Sequence, residues 1–214
     1  MYKRKGKSSR TKVAPTIWSA IALLDSARRL NQRCFELLAT IALRQPDPMY
    51  PVFARGDLWA RIDARSIERA ARCPVLLLNL HFHELEWWLR VTQGGVGPVL
   101  LNARPPLFDG EEVAPILRAL LTEAWSTARV NEFAAGLLFG MAPAVAKSLG
   151  SLTAHRIDQI VTLHATAVRP RWEESRTFWS GLLEAAVGED NESLTRVQLH
   201  ALHLLGGETS ARHV

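Results

Sequence analysis

Apolar residues return every three to four positions along most of this chain, the period of an amphipathic helix. Ile17, Ala20, Ile21, Leu24, Ala27, Leu30, Phe35, Leu38, Ile41 and Ala42 form one such stripe. It predicts a long first helix, capped by Thr16 and ended before Pro46 and Pro48. Asp63 predicts the N-cap of a helix over 64–72, which Pro74 stops. The run 75–82 (VLLLNLHF) has neither period and fits a strand or a buried helix. Helical spacing resumes over 83–91. Gly94, Gly95, Gly97, Pro98, Pro105 and Pro106 then predict a linker, placed at 94–110.

Beyond the linker, Glu111 and Glu112 open a helix that carries Val113, Ile116, Leu117, Leu120, Leu121, Ala124, Val130, Phe133, Ala134 and Leu137 to a C-cap at Gly140. A short helix with Pro143 in its first turn runs to Leu149, and Thr153 caps another over 154–164. Further helices are predicted over 173–187 and 191–205, the last ended by Gly206 and Gly207. The fold class is all-α, with at most one or two short extended segments.

One stretch of this pattern occurs twice. Residues 62–82 superimpose on 152–172 at a spacing of 90 without a gap. Ile62 falls on Leu152, Ala64 on Ala154, Ile67 on Ile157, Glu68 on Asp158 and Phe82 on Trp172. Apolar meets apolar and acid meets acid, which predicts two tandem copies of one helical unit packed as a pseudo-dimer. The copies span 15–93 and 111–207, between a basic tail (1–14) and a short C-terminal tail (208–214).

Charge adds a partner to this picture. The 214 residues carry a net charge of +5, but Lys3, Arg4, Lys5, Lys7, Arg10 and Lys12 supply six positive charges in the first twelve residues. The rest of the chain sums to −1. A basic arm of this kind contacts nucleic-acid phosphate by counterion release, so DNA is the expected partner of the tail. No apolar run reaches the ~20 residues that a membrane span needs. No secretory leader is evident, and Cys34 and Cys73 form no disulfide framework, so a reduced, cytoplasmic setting is expected.

Several constellations invite chemistry. Residues 142–164 read as helix, tight turn, helix, the layout of a DNA-binding helix-turn-helix and equally of a structural corner. The second helix would expose His155, Arg156, Asp158, Gln159 and Thr162. His81 and His83 lie beside Glu84 and Glu86, and His200 and His203 have i,i+3 spacing, but a zinc site needs more converging ligands, so no metal is assigned. Arg169, Arg171 and Arg176 surround Trp172 and Trp179. Guanidinium and indole together suit phosphate or a protein partner. Arg169 and Arg171 are therefore expected to touch phosphate, and Trp172, Trp179 and Arg176 to touch a partner. The sequence has no GxSxG, P-loop, GxGxxG or HExxH, and neither an enzymatic activity, a small-molecule substrate nor a cofactor is expected.

The duplicated unit resembles the FlhD family of flagellar master transcriptional regulators. The resemblance rests on Leu138-Phe139-Gly140-Met141-Ala142-Pro143, on Val145-Ala146 with Leu149, and on Leu152-Thr153-Ala154 with Ile157. It ends in Val168-Arg169-Pro170-Arg171-Trp172, against the family's Arg-Phe-Arg-Phe. Leu76 to Phe82 takes the same place in the first copy, and Leu30-Asn31 with Leu37-Leu38-Ala39 resembles the family's preceding helix. The family's cysteine position falls on Leu78 and Val168, so a subunit-linking disulfide is absent there. The resemblance implies a transcriptional activator subunit in which a fused pair replaces a homodimer. It further implies DNA binding in complex with an FlhC-like partner, to which any zinc would belong. The alternative is an all-helical adaptor or scaffold subunit of a secretion or conjugation system that binds only protein. Because the copies have diverged, the second is expected to carry more of the DNA or partner contact.

Overall fold

The computed structural model describes residues 17–44, 50–92, 105–188 and 190–210. The basic tail, including Lys3, Arg4, Lys5, Lys7, Arg10 and Lys12, lies outside the described residues, as does most of the predicted linker. The described chain is mostly helical, with one two-residue strand pair.

Helix α1 (Ile17–Arg44) packs on α3 (Ala64–Ala70), the one-turn α2 (Gly56–Trp59) and α5 (Gly110–Val130), burying Leu30, Cys34, Phe35 and Leu38, while Leu24 of the predicted stripe is exposed. Asn31 holds this packing from inside. Its side chain is fully buried; the amide donates to the carbonyls of Cys73 (3.2 Å) and Val75 (2.9 Å) and its oxygen accepts from Leu77 N (2.8 Å). The run 73–77 thus gets backbone partners from a helix side chain, which a buried segment outside regular structure requires. Asp63 caps α3 by accepting from Ser66 N at 2.7 Å, as the sequence predicts.

The ambiguous run 75–82 is not helical; it is irregular apart from a two-residue strand. Its β1 (Leu78–Asn79) pairs antiparallel with β2 (Arg169–Pro170), Leu78 opposite Pro170 and Asn79 opposite Arg169. Helix α4 (Leu85–Thr92) follows β1, and α9 (Arg176–Val187) follows β2. They pack crosswise: α4 lies on α7 (Pro143–Gly150), whereas α9 lies on α2 and α3.

Two predicted helices differ. The long helix expected from Glu111 to Gly140 is broken at Asn131, an extended residue (φ −153°, ψ 99°) that ends α5 and caps α6 (Glu132–Phe139) by accepting from Ala134 N at 3.1 Å. The apolar period runs through the break, but the change of direction leaves Val130, Phe133 and Leu137 exposed (84%, 74% and 55%). The last helix, α10 (Asn191–Ser210), does not stop at Gly206 and Gly207. Two glycines in a helix cost about 1 kcal/mol each, which flanking helix formers can offset.

Between these lie α8 (Ala154–His164), capped by Thr153, and a 3-10 turn at Ala165–Ala167. Gly150 lets α7 approach α5: a Cβ there would sit 3.3 Å from the Ala128 backbone. One hydrophobic cluster runs through the described chain, and Trp59, Trp87, Trp88 and Trp179 are its largest fully buried apolar side chains. Each indole contributes about 5 kcal/mol, from ~200 Å² at ~25 cal/mol/Å².

Candidate functional site

The sequence-predicted arginines and tryptophans meet at the corner between β2 and α9, but most of them face inward. Trp172 has φ +53°, in the left-handed region that non-glycine residues seldom adopt. The turn it makes closes on Ser175 N, which donates to the Trp172 carbonyl at 2.8 Å. Trp179 reaches back from α9 and donates its indole N–H to the same carbonyl at 3.1 Å. Trp179 is fully buried, so it builds the corner and presents no surface to a partner. Trp172 is half-buried, with its indole N–H on Glu208 at 2.7 Å; Arg176 is exposed on the first turn of α9.

Arg171 is 2% exposed. Its guanidinium donates to the Phe139 carbonyl and lies 3.5 Å from Glu208 of α10. It fits because Gly140, with φ +62°, has no side chain: a Cβ there would strike the guanidinium and stand 2.8 Å from Leu205. Arg169 is also largely enclosed. It donates to the Pro105 carbonyl at 2.6 Å and lies 3.6 Å from Glu173. Both arginines expected at phosphate are thus directed to protein oxygens in this fold. Glu208, placed by the sequence in a tail, is part of α10 and holds two of these side chains.

The corner after β1 has the same construction 91 residues earlier. His81 has φ +48°, Glu84 N donates to its carbonyl at 2.8 Å, and the Trp88 indole donates to that carbonyl at 3.1 Å. The ring before each buried indole also corresponds: Trp87 stacks on His81 with centroids 5.0 Å apart, and Phe178 meets Trp172 edge-on at 4.8 Å. A histidine from the neighbouring helix is edge-on to each, His164 to Trp87 and His200 to Phe178.

The histidines are therefore divided between two corners. His81 Nδ1 pairs with Glu84 at 2.9 Å, and His83 lies 3.6 Å from the same carboxylate. Among the described residues no three His, Cys, Asp or Glu side chains converge as metal ligands. His164 is buried, and burial, reinforced by Arg156 and His81, lowers its pKa below the ordinary value. Cys34 is fully buried and its thiol is pushed far up; burial pushes Cys73 up to about 11. Neither is a thiolate nucleophile at neutral pH.

The helix-turn-helix reading of 142–164 finds its two helices, α7 and α8. The exposed polar residues of α8 are His155, Asp158 and Thr162; Arg156 is half-buried and donates to the Val91 carbonyl. Asp158 pairs with Arg118 of α5. That helix accordingly presents no fully exposed arginine or lysine to a phosphate.

A basic surface lies elsewhere, where the motif reading did not look. Asp25, Arg28, Arg29 and Gln32 of α1 face Ala64 and Glu68 of α3 across a shallow groove of about 440 Å³. Glu68 pairs with Arg28 at 2.7 Å and with Arg72 at 3.4 Å, so one carboxylate serves two guanidinium groups. Arg29 lines the groove, and Arg33, Arg61, Arg65 and Arg72, on or beside the same two helices in sequence, are also exposed. The signal available in the sequence was charge counted by segment: residues 17–72 hold nine arginines and six acids, a net +3, whereas residues 107–162 sum to −2.

No single helix among the described residues is long and apolar enough to cross a membrane. Comparison of the chain with protein-family models, with curated proteins and with solved structures finds no match.

Proposed function

We propose that this protein is a transcriptional activator subunit resembling a fused FlhD dimer, which binds DNA together with an FlhC-like protein partner. In this reading the chain is two copies of one helical unit related by a pseudo-two-fold axis. The observation that carries it is that the β1–β2 ladder and the two tryptophan corners share one spacing, 91 residues. A shift of 91 residues turns Leu78 into Arg169 and Asn79 into Pro170, so the pairing of Leu78 with Pro170 and Asn79 with Arg169 maps onto itself. Equivalent strands pair this way when a two-fold axis passes between them. The Trp88 and Trp179 corners repeat at this spacing. One further correspondence supports the reading. The ion pair Arg28–Glu68 between α1 and α3 has its counterpart, at a spacing of 90, in Arg118–Asp158 between α5 and α8.

Support for a protein partner comes from Val130, Phe133 and Leu137, an apolar strip at the α5–α6 break of the kind that marks interaction sites. The same strip favours the second reading, a helical adaptor that binds only protein. A mobility-shift titration at two salt concentrations, with and without the product of a co-expressed neighbouring gene, separates the two. The regulator predicts a DNA complex that weakens with salt and tightens with the partner. Partner binding without any DNA complex would leave only the adaptor.

A further inference from the structure

We infer that the arginine face formed by α1 and α3 in the first half is a binding site for the phosphate backbone of duplex DNA. The inference rests on the two-copy reading above and reverses the expectation that the second copy carries the DNA contact.

The chain contains its own control. If the halves share one architecture, a side chain that the architecture needs should recur at the equivalent position. Arg28 does recur, as Arg118, and both make the ion pair that joins the two helices of their half. The exposed arginines do not. Arg29, Arg33, Arg61, Arg65 and Arg72 correspond to Ala119, Glu123, Ser151, His155 and Thr162. The second half forms the corresponding helices α5 and α8 without them, so the helix pair itself does not require these exposed arginines, although Arg72 also bridges to Glu68.

Their chemistry and placement select phosphate. All nine cations in residues 17–72 are arginine, whose planar fork matches phosphate oxygens in two-point contacts. Arg29 and Arg33 lie four residues apart on one face of α1, and Arg65 and Arg72 stand near the two ends of α3. The Arg28–Glu68 bridge, at 2.7 Å, holds the two faces side by side. The corresponding residues 107–162, at −2, would repel the same backbone, so DNA binds one side of the pseudo-dimer.

The test is a fluorescence-anisotropy titration of the full chain with a duplex of about 30 base pairs over a series of salt concentrations. Three variants are compared with the parent: Arg29→Gln/Arg33→Gln/Arg61→Gln/Arg65→Gln; the same four positions changed to Lys; and Arg129→Gln/Lys147→Gln in the second half. Each phosphate contact contributes about 0.9 to the slope of log K against log salt. The glutamine variant should lose about 3 to 4 from the slope and more than tenfold in affinity, with unchanged far-UV circular dichroism. The lysine variant should regain most of the slope, and the second-half variant should stay within about twofold of the parent after allowance for its smaller charge change. The inference is overturned if the glutamine variant matches the parent while deletion of residues 1–12 abolishes binding, since the tail is then the only contact and the DNA reading survives. It is also overturned if poly-glutamate displaces the DNA as effectively as unlabelled duplex, which would mark the face as a site for an acidic partner. A parent chain with no affinity for DNA, alone or with its partner, sinks the inference and the regulator reading together.

Discussion

Replacing Gly140 by alanine tests how the second corner is held together. Gly140 ends α6 at φ +62°, where an L-residue costs about 1–2 kcal/mol. The added methyl group would also strike the Arg171 guanidinium and stand 2.8 Å from Leu205 Cδ1. Arg171 can yield only by leaving the Phe139 carbonyl and Glu208, or by moving α10. Overpacking of this kind costs about 1–3 kcal/mol, so Gly140→Ala should lose about 2–5 kcal/mol in all. Urea unfolding followed by tryptophan fluorescence and by circular dichroism measures it. In an Arg171→Leu background, which borrows the residue at the equivalent position Leu80, the same substitution should lose less, because only the backbone part, about 1–2 kcal/mol, and the contact with Leu205 remain. Gly207→Ala is the control. That glycine is helical with nothing within 4 Å of a Cβ, and the change should stabilise by about 0.5–1 kcal/mol. A loss at Gly140 below about 0.5 kcal/mol, or an equal loss with and without Arg171, would refute the reasoning.

Three further outcomes follow from buried groups. Asn31→Leu removes three hydrogen bonds and leaves the Leu77 N–H and two carbonyls without their partner, so the urea midpoint should fall by the equivalent of at least about 3 kcal/mol; a change under 1 kcal/mol would mean that water replaces the amide. His164 has its pKa lowered by burial, so the unfolded chain binds its proton first. Stability is therefore full above the ordinary histidine value of about 6.5 and falls as pH drops through the lower folded value. His164→Phe should flatten that part of the profile between pH 7.5 and 5.5, and an unchanged slope would exclude His164 as its source. Cys34 and Cys73 should resist a disulfide reagent at pH 8 in the native protein and react fully in denaturant, whereas fast native labelling would contradict their burial.

The sequence carried the elements whose signals are local. Asp63 and Thr153 announced their helices as N-caps, and the period of α1 marked its length. The break at Asn131 was hidden because the apolar period continues through it. The capping residue was visible, but only the fold shows that it interrupts a helix. The role of Arg171 was illegible for a different reason. Charge beside tryptophan reads as surface, and the cavity that accepts it is made by Gly140, 31 residues before it, and by Leu205 and Glu208 of α10, 34 and 37 residues after it. In the sequence the two stretches match at a spacing of 90, whereas the strands and the two tryptophan corners correspond at 91. Helix α3 is shorter than α8 and the 3-10 turn at Ala165–Ala167, and the ungapped match therefore sets Phe82 on Trp172, where the two corners set His81 on Trp172. The arginine face escaped because the total charge of the body is near zero, which conceals +3 in residues 17–72 and −2 in residues 107–162.

The central claim is that two units form one interlocked pseudo-dimer. Its most direct test is to cut the chain between them. Val91 of α4 accepts from Arg156 of α8, and Arg69 of α3 donates to the carbonyls of Ala185 (3.1 Å) and Asp190 (3.0 Å). Each half therefore folds against the other. A protease site placed within residues 93–104 and cleaved in the native protein should give two fragments that co-elute in size exclusion at micromolar concentration. They should unfold in a single transition whose midpoint now rises with protein concentration. Fragments that separate, each keeping its helical circular dichroism and its own concentration-independent transition, would contradict the account.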